Sequence, residues 1–418
     1  MRILHTSDWH LGRTLEGRSR LPEQREFITQ LCELSDSEGV ELVLVAGDVF
    51  DTYNPSAEAE QLLFEALERL AGGGRRAVVV VAGNHDSPDR LCAVNPLARR
   101  HGIYLFGYPG QVLSSGGAAG QVECRAAGPG WVELRVGDEL ALVYALSYPS
   151  EARLKEVLTD EGEERARQAA YSERVGRLCE ESAGLFRRDT VNLIAGHLFT
   201  LGGQSSDSER DVSLGGALIV EPRVFPANAH YVALGHLHRP QAVGGSVPPC
   251  RYSGSPLAYS FSEAGQQKQV VLVEARAGEA ATVQPLPLAC GRPLKQWHAR
   301  NVAEFLAWCA APGNLACWLD LEIEVEQPLS PAQLAELYRS HEGLVSVRPL
   351  MPGAQRPAEE RRLSELSLEE RFCQFVRQQW GTDPSPELVR LFLSLALEEE
   401  SGEDESEPGD QEERGGVA

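Results

Sequence analysis

From Met1 to about Glu274 the chain alternates short apolar runs with polar turns containing glycine, and amphipathic stretches lie between them. The apolar runs predict strands at Ile3 to Thr6, Leu42 to Val45, Ala77 to Val81, Val191 to Ile194 and Tyr231 to Leu234. The unbroken valines 78–81 have no polar face. Such runs read as strands covered on both sides, which demands a layered α/β architecture. Helical periodicity covers Pro22 to Ser37 and Ala57 to Ala71, the second closed by glycines 72–74.

Between Gly107 and Pro149 the pattern changes to strand-like pieces, such as Trp131 to Arg135 and Glu139 to Ala145, separated by Gly-rich turns. Residues 149–186 are rich in Glu and Arg at helical spacing, and 202–216 is polar enough to predict a mobile loop. A second unit is expected over residues 278–351, after a larger first unit of 1–277. It would hold a strand at Leu294 to Ala299, a helix at Val302 to Ala310, a strand at Trp318 to Glu326, a helix opened by Ser330 and Pro331, and a strand at Leu344 to Arg348. These elements make a small α+β domain.

After a linker at 352–363, a capping box from Ser367 to Glu370 opens a helix with Leu368, Phe372, Phe375, Val376 and Trp380 on one face. A second helix carries Leu388, Leu391, Phe392 and Leu395 at similar spacing. Two short helices cannot build a core alone. Residues 364–398 must therefore pack on the body of the chain or serve as a docking motif for a partner. The remainder, 399–418, reads as a disordered acidic tail.

Composition narrows the class. At 418 residues the chain exceeds one ordinary core. Its 42% hydrophobic and 24% charged residues suit a globular protein, and no apolar run approaches the roughly 20 residues of a membrane span. Nine cysteines form no CxxC pair and an odd total, which argues against a disulfide framework and for a reducing compartment. The first strand runs straight into candidate ligands, which argues against a cleaved leader. A net charge of −22 opposes simple nucleic-acid binding, although ten acids and no base fall within residues 398–413 alone.

The five predicted strands end in SDWH, AGD, AGNHD, AGH and LGHLH. In open α/β sheets such endings gather outside the carboxyl ends of the strands, so residues more than 200 apart can converge. The glycines before Asp48, Asn84, His197 and His236 are expected to let the chain turn sharply there. Asp8 with His10, and His236 with His238, stand two apart, which on extended backbone directs both members to one side. Singly, each has a duller explanation: an Asp after a strand is more often a helix N-cap, a lone His a structural residue, and Asn84 a turn residue. Jointly they do not, because five of ten histidines (His10, His85, His197, His236 and His238) lie at these endings. The seven oxygen and nitrogen ligands Asp8, His10, Asp48, Asn84, His197, His236 and His238 exceed one tetrahedral zinc and suit two divalent ions with open positions. Two such ions acidify a water and neutralise phosphate charge, which is what phosphoester hydrolysis needs.

The series Asp8-x-His10, Gly47-Asp48, Gly83-Asn84-His85-Asp86, Gly196-His197 and Gly235-His236-x-His238 resembles the full motif set of the calcineurin-like metallophosphoesterases. MRILHTSDWHLG, VAGDVFDT, VAGNHDS, ALGHLHR and RYSGSP narrow the resemblance to the nuclease subunits of bacterial SbcCD-type complexes, strongly over about 1–275 and more loosely beyond. This implies a β-sandwich flanked by helices, then a small capping domain and a C-terminal helical pair. It also implies a manganese-dependent DNA nuclease, acting as a 3′ to 5′ exonuclease on duplex ends and an endonuclease at hairpins. By motif position Asp8, His10, Asp48 and His238 would hold one ion, and Asp48, Asn84, His197 and His236 the other. His85 would contact the scissile phosphate with Asp86 orienting its ring, and Tyr252, Ser253, Gly254 and Ser255 would shape the substrate groove. The helical pair would dock on an SbcC-type, SMC-like ATPase that binds the ATP and supplies basic surface. The implied assembly is a homodimer within a heterotetramer, cytoplasmic and nucleoid-associated. Competing readings are a stand-alone phosphatase or phosphodiesterase for small substrates, and a non-catalytic scaffold that bridges DNA ends.

Overall fold

The computed structural model describes residues 1–116, 118–156, 164–209, 218–311 and 313–351, with a few positions between 372 and 393. A six-stranded sheet runs in the order Thr282–Pro287, Gln269–Glu274, Arg2–Thr6, Leu42–Ala46, Ala77–Val81, Ile103–Phe106, the last four strands being parallel. An eight-stranded sheet places Cys250–Tyr252, Tyr231–Gly235, Val191–His197 and Glu139–Leu146 side by side in parallel, with antiparallel strands at both margins.

The unbroken apolar runs are explained by two cores. Leu4, Val43, Val45, Val78 and Val80 pack on Phe27, Ile28 and Leu31 of the helix Leu21–Ser37 and on Leu62, Leu63 and Ala66 of Ala57–Ala71. The alternate residues Ile3, Leu42, Leu44, Val79 and Val81 face Val143, Leu193 and Ala233 of the second sheet. Beyond that sheet, Tyr144, Ile194 and Val232 pack on Tyr171, Val175 and Cys179 of the helix Glu164–Ala183. The result is four layers, helix on sheet on sheet on helix, as the predicted β-sandwich requires.

Two boundaries differ from expectation. Thr282–Pro287 pairs antiparallel with Gln269–Glu274, so the first sheet does not end at 277. The prolines 285 and 287 are tolerated in it because this is an edge strand, where a missing N–H costs no ladder bond. The strand Val191–His197 includes its proposed ligand, so Gly196 lies within a strand and not at a turn. The small unit then comprises three parallel strands, Leu294–Ala299, Trp318–Glu324 and Leu344–Leu350. Helices Val302–Cys309 and Pro331–Ser340 cover one face, and Phe305, Leu319, Leu321, Ile323 and Leu337 fill its core. Ser330 and Gln333 form a reciprocal capping box.

Residues 355–418 form a separate unit. Within it Phe372, Phe375, Val376, Leu388, Leu391 and Phe392 are helical, and the Phe372 and Phe392 rings stack with centroids 4.0 Å apart. Leu368, Trp380, Leu395 and the acidic tail lie outside the described residues. Among the described residues no helix is long and apolar enough to cross a membrane.

The two sheets touch at their carboxyl ends. A Cβ built on Gly235 would lie 1.8 Å from Ala46 O on the opposite sheet, and one on Gly83 would lie 2.1 Å from Asp48 Oδ1. These glycines are required for close approach more than for a turn. Gly235→Ala is expected to destabilise the chain by about 1–3 kcal/mol, as overpacking does, measured as a lower urea midpoint.

Candidate metal centre

All seven predicted ligands converge at this contact between the sheets. The ligand atoms of Asp8, His10 and His238 lie within 4.8 Å of one another, as do those of Asp48, His197 and His236. Asn84 Oδ1 is 2.9 Å from His197 Nε2 and 3.2 Å from His236 Nδ1. His10 Nε2 and His238 Nε2 stand 3.0 Å apart. Asp48 Oδ2 lies between the groups, 3.7 Å from His10 Nε2 and 3.4 Å from His197 Nε2, so one carboxylate oxygen reaches toward both.

The backbone that achieves this is not extended. Asp8, His10, Asp48 and His236 have φ of 54, 45, 49 and 110°, and they are four of the six non-glycine residues with positive φ among those described. The two-apart spacing thus works through strained loops and not through the alternation of a strand. Such conformations cost on the order of 1–3 kcal/mol each and persist only where surrounding bonds over-determine them. Here Asp8 N donates to Gly47 O at 2.9 Å, His10 N to Asp48 O at 3.0 Å and Leu11 N to Val49 O at 2.9 Å, which zips one ligand loop to the other.

Each of two imidazoles is oriented by its other nitrogen. His197 Nδ1 is 2.9 Å from Ala46 O, to which it donates, leaving Nε2 to face the site. Ser208 Oγ donates to Glu263 and lies 2.5 Å from His238 Nδ1, so it accepts from that nitrogen and leaves Nε2 to face His10. Burial pushes His10 and His236 down to about 3, so both are neutral and have a lone pair for a cation. Burial opposes charge on His197 too, but the carboxylates of Asp48 and Asp8 outweigh it and push its pKa up to about 9. Burial likewise opposes ionisation of Asp48, but nearby His197 and His85 hold it well below the usual carboxylate range. Burial pushes Asp8 up to about 6. Two buried carboxylates among imidazoles call for positive charge, and the donor set fits divalent cations.

His85 sits at the edge of the cage, its ring 4.8 Å from that of His10, and its Nδ1 donates to Asp51 O at 2.6 Å. That bond engages Nδ1 and leaves Nε2 as the ring's other nitrogen. Asp86 does not orient this ring. Its carboxylate accepts from Gly83 N at 2.8 Å, Phe50 N at 2.9 Å and Val49 N at 3.2 Å, joining the two ligand loops instead.

The proposed groove residues are also placed differently. Tyr252, Ser253 and Ser255 are fully buried. Tyr252 Oη accepts from Thr200 N and donates to Leu198 O, both at 2.9 Å. Ser253 Oγ is 2.8 Å from Ser7 Oγ, which donates to Asp8, and Ser255 N donates to His238 O at 3.1 Å. A Cβ on Gly254 would lie 2.7 Å from that same carbonyl. The segment is a floor beneath Asp8 and His238, with no surface for a groove.

Several residues that matter here had no signal in ligand spacing. Buried Glu263 bonds to Lys268, and the lysine also donates to His238 O at 2.9 Å and Ser255 Oγ at 3.0 Å. Glu209 accepts from His238 N at 2.7 Å, so residues 206–209 of the expected mobile loop are tied to the site; 210–217 lie outside the described residues. Arg153 donates to Gly83 O and Asp86 O, both at 2.7 Å, and so clamps the loop that carries Asn84 and His85. Glu263→Gln is expected to weaken metal affinity by about 10–100-fold through loosened orientation of His238, measured by calorimetric titration with Mn2+.

Similarity to known proteins decides the class of chemistry. The family model for calcineurin-like phosphoesterase matches residues 1–240. SbcD, the D component of the SbcCD nuclease, from Bacillus subtilis is 44% identical over 96% of this chain and 99% of its own length. The SbcD proteins of Rhodobacter capsulatus and Escherichia coli K12 are 38% identical over 76% of this chain and 76% of their protein, and 32% over 97% and 100%, respectively. The chain belongs to the SbcD family of calcineurin-like phosphoesterases. Membership makes it a metal-dependent phosphodiester hydrolase, and divalent metal ions belong to its chemistry. For an SbcD-type chain the cage is well suited: hard and borderline ligands, no thiolate, and a further imidazole, His85, beside His10.

Proposed function

We propose that the chain is the nuclease subunit of an SbcCD-type complex, cleaving DNA as an ATP-dependent 3′ to 5′ double-strand exonuclease and as an endonuclease at single strands and hairpins. Such activity serves DNA repair, recombination and replication. Two divalent ions, manganese in this reading, would acidify the attacking water and neutralise charge on the phosphate. Asp8, His10, Asp48 and His238 would hold one, and Asp48, Asn84, His197 and His236 the other. His85 would contact the phosphate and assist departure of the leaving oxygen. Residues from Leu294 to Leu350 would cap the DNA. The helices near 372–392 would dock on an SMC-like ATPase, which would bind the ATP and supply the basic surface that a chain of net charge −22 lacks. The working assembly would be a homodimer with two ATPase subunits.

One observation carries this reading over a stand-alone phosphodiesterase. The 44% identity to the Bacillus subtilis protein runs over 404 residues, far beyond the 240 that the phosphoesterase family model spans. The test supplies purified chain and Mn2+ with end-labelled duplex, a DNA hairpin and a small aryl phosphodiester, with and without the ATPase and ATP. Shortening of the duplex and opening of the hairpin, both enhanced by the ATPase and ATP, are expected. Rapid hydrolysis of the small diester beside intact DNA in every mixture would assign the chain to the small-substrate class.

A further inference from the structure

The small unit meets the phosphoesterase body at a buried carboxylate. Glu23, in the first turn of Leu21–Ser37, is 5% exposed. It accepts from Trp318 Nε1 at 3.1 Å, from Arg292 N at 2.7 Å, and from both Nε and Nη2 of Arg20. The Trp318 indole is flanked by two guanidinium groups, Arg18 at 5.9 Å and Arg292 at 5.2 Å from the ring centre. Arg18 Nη2 also donates to Leu344 O at 2.9 Å. Three segments of the small unit or its entry, at 292, 318 and 344, are thus fastened to residues 18–23.

The same joint continues inward. Arg20 Nη1 donates to Ala258 O at 2.9 Å, and its guanidinium lies 5.9 Å from the Tyr259 ring. The Tyr259 hydroxyl donates to Trp9 O, and its ring stands 5.6 Å from that of His10 and 5.9 Å from that of His238. Gln24, next to Glu23, donates to His10 O at 2.7 Å. Among the described residues this path reaches His10 and His238, and it includes neither Asn84, His197 nor His236.

We propose that Glu23 and Trp318 are positioning residues that couple the seating of the small unit to one half of the metal cage, the half built on His10 and His238. The inference rests on the two-ion reading above. Removing one donor from a buried carboxylate leaves the remaining bonds to rearrange, and the bonds from Arg20 to Glu23 connect that change to the Arg20–Tyr259 contact. Adjacency becomes coupling only when an equilibrium at one end responds to the other, so the test measures an equilibrium.

Mn2+ is titrated calorimetrically into the full chain, its Trp318→Phe variant, which keeps a ring but loses the donor, and its Glu23→Gln variant. Thermal melting checks folding, and if either variant loses cooperative melting the other decides. Two Mn2+ sites are expected in the wild type, with one weakened by roughly two- to thirtyfold in the variants and the other unchanged. Unchanged affinities at both sites, or equal weakening of both, beside a wild type that binds two ions, would overturn the joint alone. A wild type that binds fewer than two Mn2+ would overturn the two-ion reading and the joint with it.

Discussion

Asp48→Asn is expected to reduce phosphodiester hydrolysis by at least about a thousandfold while leaving the fold intact. Charge is the first cause. Asp8 and Asp48 are the only carboxylates among the seven proposed ligands, so the amide would remove half of the negative charge available to two dications. Geometry adds to this, because Asp48 Oδ2 is the atom placed between His10 Nε2 at 3.7 Å and His197 Nε2 at 3.4 Å. A metal ion contributes several kcal/mol to transition-state stabilisation, and each 1.4 kcal/mol or so is a factor of ten in rate. Folding should survive because Asp48 Oδ1 accepts from His85 N, at 2.9 Å, and an amide oxygen can do the same. The measurement is a pair: initial rates on a small phosphodiester across Mn2+ concentrations, and the rise in melting temperature that Mn2+ produces. That rise should be large in the wild type and much reduced in the variant, since ligand binding stabilises by RT ln(1 + [L]/Kd). Full activity in the variant would show that this cage is not the catalytic site.

His85→Ala is expected to separate binding from chemistry. The ring is held by the bond from Nδ1 to Asp51 O beside the His10 ring, 4.8 Å away, and its other nitrogen is the one proposed to contact the phosphate. Loss of a positioned acid or base lowers rate by about 10²–10⁴-fold, so kcat should fall by that amount. Metal binding should change little, because the backbone N–H that His85 gives to Asp48 is kept in alanine. An unchanged Mn2+-induced thermal shift beside a collapsed kcat is the predicted signature. Equal loss of metal affinity and rate would instead make His85 a ligand, an alternative that geometry raises through the cluster of His10, Asp51 and His85.

The ligand cage was legible in the chain because its information is local. A buried strand betrays itself by an unbroken apolar run, and each ligand lies within a few residues of a strand end, as Asp48 follows Leu42–Ala46. The type of ligand also survives in one dimension: oxygen and imidazole donors without thiolates point to hard divalent ions wherever they converge. The same locality explains the early reading of the helices, whose periodicity and end signals, such as the glycine at 72, lie within one or two turns.

What the chain did not disclose depends on pairs far apart in sequence. Asp86 looked like a partner for its neighbour His85, yet its three donors come from a strand end and from residues 49 and 50, which only the meeting of two loops supplies. The family resemblance placed residues 252–255 in a substrate groove, but the packing of two sheets buries them beneath Asp8 and His238. Glu263 and Lys268 carry no motif, and their role arises because the fold brings them under a histidine some 30 residues away. Glu23 and Trp318 are 295 positions apart. The sequence by itself therefore determined which groups would gather as candidate ligands and the layered fold that presents them. Tertiary structure alone decided what orients those groups, because hydrogen bonds between buried side chains are set by which surfaces meet, and no periodicity along the chain encodes that.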